Sequence, residues 1–385
     1  GGVVSARFAS SREPTPPTAE RATRVDPIDD DSDLGSAIAD VVIASLRTLA
    51  SPARVDDVEW DAVRDVLKDS ASASHKEWAL TRRNAARLAR ALPDVDSPAF
   101  RAMFDRVLRG GRWDAALASS DERNGGGSSK KKNEKPWVVL VAGLNGVRKT
   151  TSLYQPWFCD ALAAALRGRV DPREVPTGDS SFFRQLDYLV ATIARVEFEA
   201  LYRDVLAKRV DLAAYAKRKS HIFSRYRTAA ELFGLVLLEA AKTRRLDVLV
   251  ETSGRDIGMF DFVDAVYDAD SDDDYRKLVV YFYVNDAAHA KTSVDRRMRD
   301  EMRRGADAVD TNAKHDETED AIVRANLGGP YGSDVLDAVL RDSLTVWTDH
   351  VLSGAVGADW AKAAIRIDAD DDPDAWSATP VPIDD

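Results

Sequence analysis

Residues 138–151 read VVLVAGLNGVRKTT, and this stretch decides how the following part of the chain can fold. Its first half is an apolar, β-branched run of the kind that forms a buried strand. A turn with two glycines follows, then Lys-Thr-Thr, and then apolar residues at helical spacing: Leu153, Trp157, Leu162 and Leu166. A strand, a glycine-containing turn that ends in Lys-Thr, and a helix are the arrangement of a phosphate-binding loop.

This loop predicts a nucleotide site, because its backbone N–H groups and the start of the helix favour a phosphate chain. Lys149 would reach the β- and γ-phosphates of ATP, and Thr150 would offer its hydroxyl to Mg²⁺. Arg148 stands where the loop pattern has glycine; it either pairs with phosphate itself or marks a loop that binds no ligand. The residues that we expect to bind the nucleotide are Gly143, Leu144, Asn145, Gly146, Val147, Arg148, Lys149, Thr150 and Thr151.

The composition narrows the classes of function. With 385 residues, 44% of them hydrophobic, the chain is long enough for two or three domains with sizeable cores. The formal net charge of −11 argues against a general nucleic-acid or anionic-membrane binder. The single cysteine, Cys159, excludes an intrachain disulfide framework and indicates a reducing compartment. Since no apolar run is long enough to cross a bilayer, we expect a soluble intracellular protein, cytoplasmic or organellar.

Shifts in composition divide the chain into five parts. Residues 1–33 begin with a segment rich in Ala, Ser and Arg, and are typical of a disordered tail or the remnant of an organelle transit peptide. Apolar residues at helical spacing predict a helical domain over 34–120. Its role could be packing on the second domain, regulation or binding of a protein partner. The sequence NGGGSSKKK marks a flexible linker within 121–135. A second domain over 136–368 and an acidic tail over 369–385 complete the chain.

Helix boundaries are clearest in the fourth helix of the helical domain. Ser97 is a typical N-cap, Pro98 fits the first helical position, and Gly110-Gly111 would end the helix. The second helix is expected to begin at Asp56 or Asp57, where carboxylates favour a helix start.

Strand and helix patterns alternate after the linker. The strand candidates are 137–142, 174–177, 246–250, 278–284 and 364–367. Such alternation predicts an α/β domain, a parallel sheet with helices on both faces, preceded by the small all-α domain. Ligands of such sheets bind outside the carboxyl ends of the strands, so the residues that follow each strand are the candidates for a site.

Charged and hydroxyl side chains follow three of these strands. Asp179 comes shortly after the second strand and is either a base for a substrate hydroxyl or a helix cap. Glu251 and Thr252 end the third strand, where they could hold Mg²⁺ or a water bound to it, and Arg255 could neutralise phosphate. After the fourth strand, a helix expected over 293–305 carries five arginines, of which one or two could meet a transferring phosphoryl group.

Taken together, these segments resemble the zeta-toxin family of phosphoryl-transfer kinases. The matching segments are GLNGVRKT at 143–150, GDSSFFR at 178–184, VLVETSGR at 248–255, the arginine helix that ends at Gly305, and AIVRANL at 321–327. The resemblance covers roughly residues 136–367 and none of the helical domain. It implies a P-loop kinase fold and Mg²⁺-dependent transfer of the ATP γ-phosphate to a sugar-nucleotide hydroxyl, that of UDP-N-acetylglucosamine in the best-known members.

The resemblance also implies roles for individual residues. Lys149 and Thr150 would hold phosphate and Mg²⁺, and Asp179 would be the catalytic base. An arginine of the 296–304 helix, for which we select Arg299, would stabilise the transferred charge. The residues implied to contact the substrate are Arg184, Glu251, Thr252 and Arg255.

The sequence departs from that family at three places, and two other functions stay open. Arg148 replaces a loop glycine, and one extra residue separates Asp179 from Phe182. The family's second phosphate-binding arginine has no clear match; Lys314 and His315 stand in its neighbourhood instead. The same segments, together with the helical domain, also resemble signal-recognition-particle GTPases, although the Thr-Lys-x-Asp that reads guanine is not reproduced. The third alternative is a catalytically inactive nucleotide-binding module.

Overall fold

The computed structural model describes residues 31–50, 57–125, 135–171, 174–267, 275–284, 286–310, 321–368 and 377–383. The first 30 residues, the glycine- and lysine-rich part of the predicted linker, Lys314 with His315, and the acidic residues 369–376 lie outside the described residues. The predictions made for those segments therefore stay predictions.

The chain folds into an α/β structure with a six-stranded sheet and an N-terminal helical region. The strands are β1 (Trp137–Gly143), β2 (Phe182–Arg184), β3 (Val248–Glu251), β4 (Arg276–Tyr283), β5 (Ala361–Asp368) and β6 (Ser377–Pro380). Their order is β2-β3-β1-β4-β5-β6, and every neighbouring pair is parallel except β5 and β6. The predicted parallel sheet is confirmed for β1 to β5. Strand β6 lies within the residues predicted as the acidic tail.

Fifteen α-helices occur among the described residues, which confirms the predicted helical region and the helices around the sheet. They are α1 (Asp31–Ala50), α2 (Trp60–Ala71), α3 (Trp78–Ala91), α4 (Pro98–Met103), α5 (Asp105–Gly110), α6 (Trp113–Gly125), α7 (Lys149–Ser152), α8 (Phe158–Ala165), α9 (Leu186–Ile193), α10 (Arg195–Leu206), α11 (Leu212–Thr243), α12 (Gly258–Val266), α13 (Ala287–Val309), α14 (Ala321–Ala325) and α15 (Leu336–Thr345). A π-helical turn, Val346–Leu352, extends α15.

Strand β1 lies at the centre of the sheet and carries the predicted loop at its end. All seven of its residues are buried, as expected for a strand covered on both faces. It pairs in parallel with β3 from Val138↔Val248 onward and with β4 from Trp137↔Arg276 onward. The carboxyl ends of these three strands therefore meet at one edge of the sheet, which we call the carboxyl edge.

The second strand lies later in the chain than predicted. Residues 174–177 form a short 3₁₀ turn and loop, whereas β2 is Phe182–Arg184 and pairs with β3. Pro176 cannot donate a backbone hydrogen bond, and the two phenylalanines favour a strand. Asp179 consequently precedes this strand instead of following it, and the first carboxylate after the strand is Asp187.

Several helix boundaries also differ from the predictions. The helix after the loop is interrupted between α7 and α8, where Pro156 lacks a backbone donor. Helix α13 begins at Ala287 and is capped by Asp286, which accepts from the backbone N–H groups of the next turn, so Ser293 is an interior residue. Gly305 does not end that helix; it lies where a side chain would collide with the ring of Tyr202.

The helical region differs from its prediction at two points. Ser97 caps α4 as expected by accepting from Phe100 N (3.1 Å), but the predicted fourth helix breaks at Phe104 into α4 and α5. An additional helix, α6, extends into the predicted linker as far as Gly125. The second helix begins at Trp60, a few residues after the predicted start.

The helical region packs directly on the sheet edge formed by β2. Trp113 is fully buried and meets Phe182 edge-to-face at 4.9 Å between ring centroids, and Phe104 packs on Phe233 of α11 at 5.3 Å. The backbone N–H of Phe183 donates to the carbonyl of Gly111 (2.8 Å), so this edge strand gains a hydrogen-bond partner outside the sheet. The two regions share one continuous hydrophobic core.

Among the described residues, no helix combines the length and the apolar character that a bilayer crossing requires.

Candidate functional site

The loop after β1 has the tight backbone that its glycines allow. Gly143 (φ 134°) and Gly146 (φ 88°) both have backbone conformations that favour glycine. A Cβ on Gly143 would lie 2.7 Å from the carbonyl oxygen of Phe282, and a Cβ on Gly146 would lie 2.5 Å from that of Ala290. Arg148 also takes a left-handed conformation, with φ 66°. The backbone at this position thus keeps a conformation typical of glycine even though the residue is arginine, at a cost of about 1–2 kcal/mol.

Lys149 is buried at the carboxyl edge and closes the loop. Its side chain is 2% exposed, and Nζ donates to the carbonyls of Gly143 (2.7 Å) and Leu144 (3.1 Å). Glu251, at the end of β3, approaches the same amine at 3.4 Å. Burial lowers the pKa of Lys149, and the charge of Glu251 opposes that effect. An ammonium in such surroundings interacts strongly with any anion that reaches it.

Thr150 and Glu251 form the second contact between the loop and β3. The hydroxyl of Thr150 lies 3.4 Å from Glu251 Oε2. Among the described residues, no group of three or more His, Cys, Asp or Glu side chains could hold a metal ion. One hydroxyl backed by a carboxylate nevertheless suits a Mg²⁺ ion that arrives with a nucleotide, because phosphate oxygens and waters then supply the remaining ligands.

Asp187 is a third charged residue at the same edge and was not among the residues predicted from the sequence. It lies in the first turn of α9, directly after β2, and its side chain is partly buried. A Cβ added to Gly329 would lie within 3.4 Å of both carboxylate oxygens of Asp187 and of the side-chain amide nitrogen of Asn145 in the loop. Gly329 therefore lies close to both side chains. Within the described part of the chain, Asp187 has no hydrogen-bond or ion-pair partner.

The surroundings of Asp187 raise its pKa to about 6, from an ordinary value of 3.8. Burial is the main cause and the charge of Glu251 adds to it, whereas the positive charges of Lys219, Arg297 and Arg227 act in the opposite direction. The charge of this carboxylate at the carboxyl edge is therefore not neutralised by a direct partner.

Arg297 is the arginine of α13 that faces this site. It interacts electrostatically with both Lys149 and Asp187, and it donates to the carbonyl of Gly329 (3.0 Å). Arg299, the arginine predicted to stabilise the transferred charge, is exposed, as are Arg296, Arg303 and Arg304. Arg297 lies beside the buried stripe of α13 that contains Val294 and Met298, and its contact with Gly329 sets it apart from the other arginines.

Residues 326–331 (NLGGPY) pass over the site, and we call them the covering segment. Gly328 and Gly329 are buried in it. Lys219 of α11, which is completely buried, donates to the carbonyl of Gly328 (2.5 Å) and to the side chain of Asn326 (2.9 Å). The same ammonium pairs with the buried Glu301 of α13 (2.7 Å).

The remaining predicted residues lie in different environments. Asp179 is 61% exposed and pairs with Arg112 of the helical region (2.8 Å). Arg184 is buried in the core and pairs with the buried Glu231 of α11, so its charge is already neutralised there. Arg255 donates to the hydroxyl of Tyr331 in the covering segment (2.5 Å) and lies over its ring.

Thr252 has a local structural role. Its backbone N–H donates to the carbonyl of Val141, and its hydroxyl accepts from the backbone N–H of Gly254 (3.2 Å), which shapes the turn after β3. Of the predicted residues, the structure thus brings together the loop, Lys149, Thr150 and Glu251. The residues that sequence reasoning missed are Asp187, Arg297 and Lys219.

The raised pKa of Asp187 predicts a pH-dependent stability. Between about pH 4 and pH 6 the folded state binds more protons than the unfolded state, so the free energy of unfolding falls as pH rises through this window. Above it, Asp187→Asn removes an uncompensated charge. We expect the variant to be more stable than the wild type by about 1–2 kcal/mol at pH 7, after allowance for solvent screening.

Urea unfolding at pH 4 and at pH 7 measures this effect. The difference between variant and wild type should shrink at pH 4, where the folded wild type holds the proton and its ionised, uncompensated charge is absent. An equal difference at the two pH values would contradict the raised pKa.

No protein-family model, curated protein or solved structure significantly matches this chain.

Proposed function

We propose that this protein is an Mg²⁺-dependent kinase that transfers the γ-phosphoryl group of ATP to a hydroxyl of a small molecule. The observation that carries this proposal is the meeting of Lys149, Glu251, Asp187 and Arg297 beside a tight glycine loop at the carboxyl edge. Phosphoryl transfer needs positive charge around the phosphates and a carboxylate near the attacking hydroxyl, and this edge supplies both. We further propose that the α/β domain has the fold of a P-loop kinase.

The distribution of charge supports a nucleotide at this edge. Lys149 and Arg297 are cations with restricted access to water, where their attraction for phosphate is larger than at an exposed surface. ATP with Mg²⁺ would supply the phosphoryl group and neutralise part of its charge. The carbonyls of Gly143 and Leu144 hold the Lys149 ammonium at the mouth of the loop.

The acceptor class comes from the resemblance to the zeta-toxin family, so a sugar nucleotide such as UDP-N-acetylglucosamine is the first candidate. The conclusive experiment incubates the full chain with ATP, Mg²⁺ and a panel of UDP-sugars, and analyses the products by mass spectrometry and ³¹P NMR. We expect one acceptor to gain a phosphoryl group while ADP forms in equal amount. The absence of a phosphorylated product with every acceptor would overturn the proposal.

Two observations keep an inactive nucleotide-binding module as the second candidate. Lys149 already donates to two loop carbonyls, and α7 is a helix of only four residues, so it adds little dipole to the loop. Calorimetric titration with ATP separates the candidates, since binding without any turnover supports the module. GTP hydrolysis without an acceptor would instead support a GTPase of the signal-recognition-particle type.

A further inference from the structure

We infer that Asp187 accepts the proton of the acceptor hydroxyl, a role that the sequence pattern alone assigns to Asp179. This inference rests on the proposed function and names the residue that performs one step of it. Its basis is the position of both carboxylates relative to β2, and the partners that each of them has.

The position of β2 separates the two carboxylates. Residues that follow a parallel strand lie at the edge where ligands bind, and Asp187 is the first carboxylate after β2. Asp179 comes before the strand, in the loop whose neighbour Gly178 packs against the ring of Tyr154. The chain direction thus brings Asp187, rather than Asp179, to the edge that carries Lys149.

The partners of the carboxylates point in the same direction. Asp179 pairs with Arg112 at an exposed position, and Glu251 is held by Lys149 and Thr150. Asp187 has no direct partner within the described residues, although five charged groups on four neighbouring elements face it. These groups are Glu251 of β3, Lys149 of α7, Lys219 and Arg227 of α11, and Arg297 of α13.

A carboxylate that lacks a partner in the resting protein can accept a hydrogen bond from a substrate at no cost in existing contacts. Its basicity suits this use, because a pKa of about 6 leaves Asp187 ionised at neutral pH yet more basic than an ordinary aspartate. Gly329 lies close to the carboxylate, and the side-chain amide of Asn145 in the loop approaches the same side of that glycine. An acceptor hydroxyl would lie between Asp187 and the loop.

The proposed step is balanced. The O–H bond of the acceptor breaks and its proton passes to a carboxylate oxygen of Asp187. The acceptor oxygen forms a bond to the γ-phosphorus of ATP, and the bond between that phosphorus and the β,γ-bridging oxygen breaks. The electron pair leaves with ADP, and Asp187 then returns its proton to the solvent.

The test compares Asp187→Asn with Asp179→Asn in the full chain, using ATP, Mg²⁺ and the acceptor found in the UDP-sugar panel. We expect Asp187→Asn to lower kcat by roughly 10²-fold with an almost unchanged Kd for ATP, because a base acts only in the chemical step. Asp179→Asn should change kcat by less than about threefold, as expected for an exposed ion pair. Asp187→Glu should restore part of the rate.

The pH profile gives a readout that a purely structural role would not change. In the wild type kcat should fall below about pH 6, and in Asp187→Asn this decline should disappear. A loss of activity in Asp179→Asn with a retained rate in Asp187→Asn would overturn the inference while leaving the kinase intact. Weaker binding of ATP–Mg²⁺ to Asp187→Asn, measured by calorimetry, would also overturn it, because Asp187 would then act on the metal.

A wild-type protein that phosphorylates nothing would overturn the proposed function itself, and the inference with it. The two failures are therefore distinguishable, since the wild-type rate tests the kinase and the comparison of the two variants tests the base.

Discussion

Lys149→Met is expected to lower kcat/KM for phosphoryl transfer by about 10³-fold and to weaken ATP binding, while the fold stays intact. The ammonium is buried against two carbonyls of the loop, and methionine fills similar space without charge. Removing one electrostatic contact to a transferring group typically costs roughly 10²–10³-fold in rate, and the lysine also contributes to ground-state binding.

The fold should tolerate this change because burial disfavours the charged form of Lys149 and lowers its pKa. Removing the charge therefore also removes this unfavourable burial. Glu251 loses a partner but keeps access to water, with 24% of its side chain exposed. Steady-state kinetics and calorimetry measure the functional loss, and circular dichroism checks the fold. Lys217→Met, which changes an exposed lysine of α11, is the control and should behave like the wild type.

A folded Lys149→Met protein that keeps the wild-type rate would show that phosphate is bound elsewhere. The proposed position of the nucleotide at the carboxyl edge would then be wrong, even if the enzyme is a kinase.

The central part of the site was predictable because its signals are local. The run before Gly143 is apolar and β-branched without interruption, which favours a buried strand in any context. The glycines that follow are required by positive φ angles, and Lys149 and Thr150 have their places fixed relative to them. Glu251 could be found for the same reason, since it ends a short apolar strand.

Asp187, the proposed base, was harder to find because β2 depends on distant parts of the chain. Three residues are a weak pattern, and this strand is stabilised by β3 on one side and by the carbonyl of Gly111 on the other. Neither partner is close in sequence. The run Phe182-Phe183, followed shortly by Asp187, was the signal that could have placed the strand and its carboxylate correctly.

The inward arginine depended on tertiary contacts as well. Helical periodicity places Arg297 and Arg304 nearer than Arg299 to the buried stripe of α13, but it does not separate those two arginines. Arg297 is distinguished by its bond to Gly329, more than 30 residues later in the chain. Such contacts become visible only when the covering segment and the helix are placed together.

Lys219→Met is expected to destabilise the protein by about 3–5 kcal/mol, because it leaves the carboxylate of Glu301 buried without a compensating charge. Both side chains are completely buried and meet at 2.7 and 2.8 Å. The remaining donors to Glu301, the hydroxyl of Tyr215 and the backbone N–H of Leu327, are neutral. The carbonyl of Gly328 also loses its donor, so the covering segment should loosen together with the core.

Urea unfolding at pH 7 measures this loss, and the exposed Lys217→Met, two residues away, is the matched control. The double variant Lys219→Met with Glu301→Leu separates charge from packing. It should be more stable than Lys219→Met alone, because a buried ion pair replaced as a unit leaves no isolated charge behind. If the double variant is instead at least as destabilised as Lys219→Met, the unpaired charge of Glu301 is not the cause of the loss. Lys219 would then stabilise the protein mainly by its hydrogen bonds to Asn326 and Gly328.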